Sequence, residues 1–263
     1  MNRNLAVIIM AAGKGTRMNN PAMAKVMYTI NGKPMVEHVV HLALQLAADP
    51  IVVIVGWQKD SVINHLRTAF GERVECVVQE PQLGTGHAVM QAEPVLRRFE
   101  GDILVLSGDV PMLSQATARR LIEFHRASDA RATVLTAILD DATGYGRILR
   151  DADGSVRGIV EHKDATPEQL AIREINSGIY LFDARLLFES LKHITPTNAQ
   201  KEYYLTDVFQ YFWRHQHRVS AVAASDPVEI TGINTPEQLD AARRIMSHSE
   251  EKEKGRSHIR PTL

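Results

Sequence analysis

The sequence is 263 residues long, 44% hydrophobic and 23% charged, and its 30 Lys+Arg against 31 Asp+Glu leave a formal net charge of -1. A chain of that size can bury a large core without staples and fits one large domain or two small ones. The balanced charge offers no field of one sign for coating nucleic acid or a membrane surface, and the single cysteine, Cys76, excludes an intramolecular disulfide and a Cys-rich zinc site while suiting a reducing cytoplasm.

Leu5–Met10 is a continuous apolar run rich in β-branched residues and followed by glycines, the profile of a strand covered on both faces. Extended to Ala12 it is about eight residues, far short of the roughly 20 of a membrane span, and it lacks the cleavage site of a signal peptide. Met35–Ala47 carries apolar residues at helical spacing (Val36, Val39, Val40, Ala43, Ala47) and predicts a helix with one buried stripe. Ile51–Val55 predicts a strand ending at Gly56, Ser61–Phe70 a helix, Val74–Val78 a strand, Ala88–Arg98 a helix, and Ile103–Leu106 a strand leading into Ser107-Gly108-Asp109. Strands alternating with helices imply a mostly parallel sheet with helices on both faces. Right-handed crossovers then put the strand C-termini on one edge, where ligands bind.

Beyond about residue 140 the rhythm changes. Tyr145–Leu149, Val156–Val160 and Ile175–Phe182 read as short strands, separated by turns at Asp151–Gly154 and Asp164–Glu168, which favours hairpins and a mixed sheet. Leu205–His215 predicts a helix, Val219–Ala223 a strand, and Pro236–Met246 a helix capped by Thr235 with Pro236 in its first turn. Ser247–Leu263 is charge-dense, with Glu250-Glu-Lys-Glu-Lys254, and is expected to be frayed or disordered. No internal repeat is visible. The expected organisation is one α/β domain over residues 1–248, with a substrate-binding lobe inserted toward its C-terminal half, and a polar tail over 249–263.

Four segments could carry chemistry. Ala11-Ala-Gly-Lys-Gly-Thr-Arg-Met18 directly follows the first strand; its glycines let backbone N–H groups face an anion, and Lys14, Arg17 and Lys25 supply charge. It is not a P-loop, and Met18 stands where a dinucleotide fingerprint has its third glycine. No acidic residue ends the second strand either, where Gly56 and Trp57 stand, which disfavours a Rossmann dehydrogenase. A plain strand–loop turn is the competing reading. Asp109 at a strand end is suited to hold Mg²⁺ against phosphates, and equally suited to cap the following turn. Gln79-Glu-Pro-Gln-Leu-Gly-Thr-Gly86 offers an amide able to read a nucleobase edge, or is a surface loop opening a helix. Gly144-Tyr-Gly-Arg147, Glu161 and Asn176-Ser-Gly178 supply the acceptors and amides that sugar hydroxyls need, though each alone is as readily a turn or strand end. His38, His41, His87 and His125 lie in separate segments without metal-ligand spacing.

Taken in order, these segments resemble the sugar-nucleotide pyrophosphorylases, and within them the uridylyltransferase halves of the bacterial bifunctional enzymes that make UDP-N-acetylglucosamine. The resemblance rests on Ala11–Met18, Gln82-Leu-Gly-Thr-Gly-His-Ala88, Gly108-Asp-Val-Pro111, Thr143-Gly-Tyr-Gly-Arg-Ile148, Ile159-Val-Glu-His-Lys-Asp164, Glu174-Ile-Asn-Ser-Gly178, Ala199-Gln-Lys-Glu-Tyr-Tyr-Leu-Thr-Asp207 and Gly232-Ile-Asn234, and covers about residues 4–246. It implies a three-layer Rossmann-like nucleotidyltransferase fold and Mg²⁺-dependent transfer of UMP from UTP to N-acetylglucosamine 1-phosphate in the cytoplasm, a step toward cell-wall precursors. Met10, Ala11, Ala12, Gly13, Gln79, Gly84, Thr85 and Gly108 would contact the nucleotide, with Gln79 on the uracil edge. Gly146, Glu161 and Asn176 would contact the sugar, Asp109 and Asn234 would bind Mg²⁺, and Arg17 and Lys25 would act on the triphosphate. Another sugar 1-phosphate such as glucose 1-phosphate, dTTP as donor, and a non-catalytic sensor remain as alternatives.

The chain departs from the family at four points. Ala24, not proline, precedes Lys25, and its loop is one residue longer. Ser107 stands where close relatives often carry tyrosine, and Lys201 replaces a usual glycine. The hexapeptide repeats of a left-handed β-helix are not visible, so acetyl-CoA use and a trimer built by that route are not expected.

Overall fold

The computed structural model describes residues 3–18 and 20–257, the last nine of them as backbone only. In chain order the elements are β1 (Leu5–Ala11), a small hairpin of β2 (Thr29–Ile30) and β3 (Lys33–Pro34), α1 (Met35–Gln45), β4 (Ile51–Val55), α2 (Lys59–Phe70), β5 (Glu75–Val78), α3 (Thr85–Met90), α4 (Glu93–Leu96) and β6 (Asp102–Ser107). There follow α5 (Gln115–Ala127), β7 (Ala132–Ile138), β8 (Gly146–Arg150), β9 (Val156–Val160), α6 (Pro167–Leu170), β10 (Glu174–Asp183), α7 (Ala184–Leu191), α8 (Val208–Arg214), β11 (Val219–Ala223) and α9 (Pro236–Ser257).

The described residues form a nine-stranded sheet whose main path runs β11-β7-β10-β6-β1-β4-β5. β1 pairs in parallel with β4 and β6, β4 with β5, and β11 with β7; β10 alone on that path runs against its neighbours. Strand alternation sorts the core into two layers. Val7 and Ile9 face one cluster with Val36, Val39 and Val40 of α1, Leu66 of α2 and Leu121 of α5. Ala6 and Ile8 face the other, with Val89 of α3, Leu187 of α7 and Phe209 and Phe212 of α8. Helices thus cover both faces, as a mostly parallel sheet requires, and each fully buried Leu, Ile or Phe contributes about 2 kcal/mol. This is the three-layer α/β arrangement expected from the sequence.

β10 creates the change of rhythm beyond residue 140. Its second half pairs with β6 through Tyr180–Asp183, while its first half pairs with β8 at Ile175 and Asn176. The β8–β9 hairpin therefore starts where β6 stops, above the C-terminal ends of the parallel strands. A third cluster, Met18, Ile30, Met35, Ile233, Leu239 and Ala242, seats α9 against the segment following β1.

Three expectations need correction. The helix expected over Ala88–Arg98 is two helices, starting at Thr85 and interrupted before Glu93 and Pro94, since proline is tolerated in a first turn but breaks a helix interior. α5, β7 and α7 are elements that no expectation from the sequence covered. The last helix, expected to stop at Met246, continues to Ser257, through Glu and Lys residues of high helix propensity. The remainder of the expected disordered tail, 258–263, lies outside the described residues.

Candidate active site

Where β1 ends, the chain turns through Gly13–Gly15. Gly15 has φ +61, and a Cβ there would lie 2.5 Å from Lys25 Cβ, so its bare backbone lets the Lys25 stem pass. A turn over Thr16–Met18 follows, closed by the Met18 N–H on the Gly15 carbonyl at 2.9 Å and anchored by the buried Met18 side chain. Arg17 is left exposed. The loop before Lys25 is held at Pro21, whose carbonyl accepts from Trp57 Nε1 and Gln58 Nε2 at 3.0 and 3.2 Å. Ala24 and Val26 on either side of Lys25 are buried, which aims the Lys25 side chain across the strand ends.

There it meets two residues from distant parts of the chain. Lys25 Nζ is ion-paired to Asp109 Oδ2 and donates to Asn234 Oδ1 at 2.9 Å. Asp109, two residues past β6, accepts on Oδ1 from Ser107 Oγ at 2.6 Å, and its carbonyl accepts from the Ile233 N–H at 2.9 Å. That backbone bond fixes Gly232–Asn234 beside Asp109. Asn234 Nδ2 donates to the Gly232 carbonyl at 3.2 Å, which turns Oδ1 toward Lys25. Burial pushes the Asp109 carboxyl up, but the Lys25 ammonium and hydrogen bonds from Lys25 and Ser107 outweigh it and hold the group below the usual carboxylate range. Two hard oxygens converging on one cation suit a divalent ion such as Mg²⁺, with Lys25 as the stand-in cation here.

Beside this cluster lies a cavity of about 470 Å³, lined by Met10, Ala11, Ala12, Gly13, Lys14, Lys25, Gln79, Gln82, Gly84, Thr85, Ser107, Asp109 and Glu202 among others. Gln79 is buried; its Nε2 donates to the Gly84 carbonyl at 2.9 Å and lies 3.2 Å from His87 Nδ1. Gln82 Nε2 donates to the Ala12 carbonyl. Thr85 Oγ1 accepts from the Leu205 N–H at 3.0 Å. Gly108 does not line the cavity: its N–H donates to the Met10 carbonyl at 2.9 Å, and a Cβ would sit 3.1 Å from that oxygen.

Gly146, Glu161 and Asn176 form a second group on the β8–β10 lobe. A Cβ on Gly146 would stand 3.3 Å from Glu161 Oε2 and 3.4 Å from Asn176 Cβ. Glu161 Oε1 accepts from Thr206 Oγ1 at 3.0 Å. Burial pushes its carboxyl up, and the nearby Asp207 and Asp164 add to the rise against the Thr206 bond. Asn176 is fixed by donating Nδ2 to Tyr180 Oη at 2.7 Å and accepting the Gly178 N–H at 3.1 Å. None of the three lines the 470 Å³ cavity.

Tyr145 immediately precedes Gly146 and is partly buried. Burial raises its phenol, a hydrogen bond from Gly232 opposes this, and Asp109 and Arg17 pull in opposite directions. The sequence reading assigned no role to Tyr145, Gln82, Glu202 or Thr206; their signal lay inside the quoted motifs. Of the histidines considered as metal ligands, His125 Nδ1 lies 2.8 Å from Thr133 Oγ1, His38 Nε2 lies 3.0 Å from the Ile30 carbonyl and His87 packs beside Gln79, and no cluster of three potential ligand residues occurs among the described residues.

The chain is 45% identical over 239 residues to the bifunctional protein GlmU of Geobacillus sp. (strain WCH70), covering 91% of this chain and 51% of the relative. It is 47% identical over 243 residues to GlmU of Exiguobacterium sibiricum, covering 92% and 53%. The chain thus spans about half the length of these curated relatives. Among solved structures, a protein described as a glucose-1-phosphate thymidylyltransferase from Bacillus anthracis superposes with a TM-score of 0.73 at 22% identity, over 92% of this chain and 94% of that one. A UDP-glucose pyrophosphorylase bound to UDP-glucose superposes with a TM-score of 0.73 at 17% identity, over 94% and 100%; at these identities the likeness is one of fold. The nucleotidyl transferase family model matches residues 6–228, from the first strand past the last, and the chain belongs to that family.

Proposed function

We propose that this chain transfers UMP from UTP to N-acetylglucosamine 1-phosphate, forming UDP-N-acetylglucosamine and pyrophosphate with Mg²⁺ as cofactor. The observation that carries this reading is the convergence of Asp109 and Asn234 on Lys25, with Lys25 and Asp109 lining a cavity that Gln79 and the glycine-rich turn also line. In the proposed reaction a phosphate oxygen of the sugar ester attacks the α-phosphorus of UTP, and the bond to the bridging oxygen breaks to release pyrophosphate in line. Such a transfer needs alignment and charge compensation more than covalent help from the protein.

Each residue then has a physical task. The Gln79 nitrogen is committed to Gly84 and His87, so its carbonyl oxygen is left to accept from a base; uracil N3–H is a donor, whereas cytosine N3 is an acceptor. Gly13 and Lys14 approach the phosphates, and Arg17 and Lys25 offset charge on them as it redistributes. Asp109 and Asn234 would hold Mg²⁺, which supplies Lewis-acid and charge-neutralising chemistry there. Gly146, Glu161 and Asn176 would bind the N-acetylglucosamine ring, Glu161 as an acceptor for its hydroxyls. The specific sugar is carried by the resemblance of the Gly144-Tyr-Gly, Val160-Glu-His-Lys-Asp and Glu202-Tyr-Tyr motifs, and a cytoplasmic setting by the same resemblance.

The test is pyrophosphate release from UTP over a panel of sugar 1-phosphates, with and without Mg²⁺. N-acetylglucosamine 1-phosphate should give the highest kcat/KM, and omission of the metal should remove turnover. A tenfold preference for glucose 1-phosphate would overturn the substrate assignment, and no turnover with any pair would favour a sensor.

A further inference from the structure

We propose that Lys25 is a resident cation of the divalent-metal site, competing with the metal for Asp109 and Asn234 until a nucleotide triphosphate draws it away. The inference rests on the reading of those two residues as metal ligands.

Its basis is the double contact. One ammonium touches Asp109 Oδ2 and Asn234 Oδ1 together, the same two oxygens that a hard cation would use. Both charged side chains are only 14% exposed, so their attraction is little screened. An ammonium and a divalent ion cannot share two ligands without sitting a few ångströms apart, where like charges repel strongly. Asn234 has no spare oxygen, since Oδ1 is its only side-chain acceptor. Asp109 Oδ1 is already held by Ser107. Little remains for a metal while Lys25 stays.

Lys25 is also built to leave. It lines the cavity beside Gly13 and Lys14, so phosphates placed there offer its ammonium a more highly charged partner. Its flexible stem packs against Gly15, where a Cβ would lie 2.5 Å from Lys25 Cβ. Triphosphate binding therefore lifts the competitor off the metal ligands in the same step that it recruits Lys25. By linkage, metal and nucleotide must then favour each other's binding beyond any direct contact between them. The free protein would hold metal weakly and complete its site only on a loaded nucleotide.

The test is Mn²⁺ binding to the full chain without nucleotide, followed by the EPR signal of free Mn²⁺. Lys25→Met should bind Mn²⁺ about tenfold more tightly than the parent, the usual scale of such couplings; equal or weaker binding overturns the competition. Asp109→Asn separates the two levels. If it binds Mn²⁺ as the parent does, the metal-ligand reading itself fails. If it loses Mn²⁺ while Lys25→Met gains nothing, only the competition fails. A measurement on the unsubstituted chain guards against misfolding of the variants. Under trace acetylation with acetic anhydride, saturating Mn²⁺ should raise labelling of Lys25 relative to the surface residue Lys163, as read by mass spectrometry. Unchanged Lys25 labelling with Mn²⁺ bound overturns the proposal as well.

Discussion

Lys201 occupies a backbone position that favours glycine. Its φ is +54, in the left-handed region that disfavours any side chain. The strain persists because Asn198 grips the turn, accepting from the N–H groups of Gln200 and Glu202 at 3.2 Å each and donating to the Glu202 carbonyl at 2.6 Å. Lys201→Gly should therefore raise stability by about 0.5–1 kcal/mol, the relieved strain less the added freedom of the unfolded chain, seen as a higher urea midpoint at unchanged m-value. A lower midpoint would mean that the Lys201 side chain makes a compensating contact. Arg17 is the opposite kind of residue, an exposed guanidinium on a turn fixed by Met18. Its removal leaves the fold alone. If it acts on charge developing in the transfer, Arg17→Ala should lower kcat roughly 100-fold and change KM for UTP far less. An unchanged kcat in steady-state pyrophosphate release would remove the glycine-rich turn from the reaction.

At the scale of elements, the loop leading into α3 is built on its contact with the 198–204 segment. The Gly86 N–H donates to the Tyr203 carbonyl at 2.7 Å and the Tyr203 N–H to the Leu83 carbonyl at 2.8 Å. Gly84 has φ +110, and a Cβ there would lie 2.6 Å from the Tyr203 carbonyl oxygen. Backbone packed on backbone cannot yield as a flexible side chain can. Gly84→Ala should therefore raise KM for UTP at least tenfold, by displacing the carbonyl that holds Gln79, and lower the melting temperature; a wild-type KM would separate Gln79 from nucleotide binding. What the sequence revealed follows from the same physics. Strands buried on both faces, such as β1 and β4, announce themselves as unbroken apolar runs. The α5 stripe was hidden because its buried face includes Thr117 and His125, with Arg119 and Arg120 between its apolar residues. The start of α7 was hidden because its cap, Asp183, is also the last residue of β10. The turn glycines and Asp109 were readable from local spacing. The resemblance paired Asn234 with Asp109 as metal ligands, whereas the meeting of Lys25 with Asn234, 209 residues away, had no local signal and was not expected.

Across the whole molecule, two titrating groups, one buried and one half-buried, pull the acid response in opposite directions. His125 sits on the buried face of α5 against Thr133, facing Asp102, Arg3 and Arg126, and burial lowers its pKa from 6.5 to about 4, with Asp102 opposing. The unfolded chain then binds the extra proton between those two values, so the stability tied to neutral His125 is lost as pH falls from about 6.5 to about 4. Asp207, at the start of α8 on the lobe side, is raised from 3.8 to about 6 by burial and by Asp164. Here the folded chain takes the proton first, so its stabilising share is present at low pH and is lost as pH rises from about 4 through about 6. No charged partner is common to the two groups, so their effects should add. The comparison is best made as variant minus parent melting temperature against pH, which cancels every other group. For His125→Gln the difference should climb as pH drops below about 6.5, because the variant has no imidazole to protonate. For Asp207→Asn, which mimics the protonated acid, it should stay near its low-pH value below pH 4 and climb toward pH 7. Parallel slopes would show that one environment is drawn wrongly, and a flat curve for either variant would identify which.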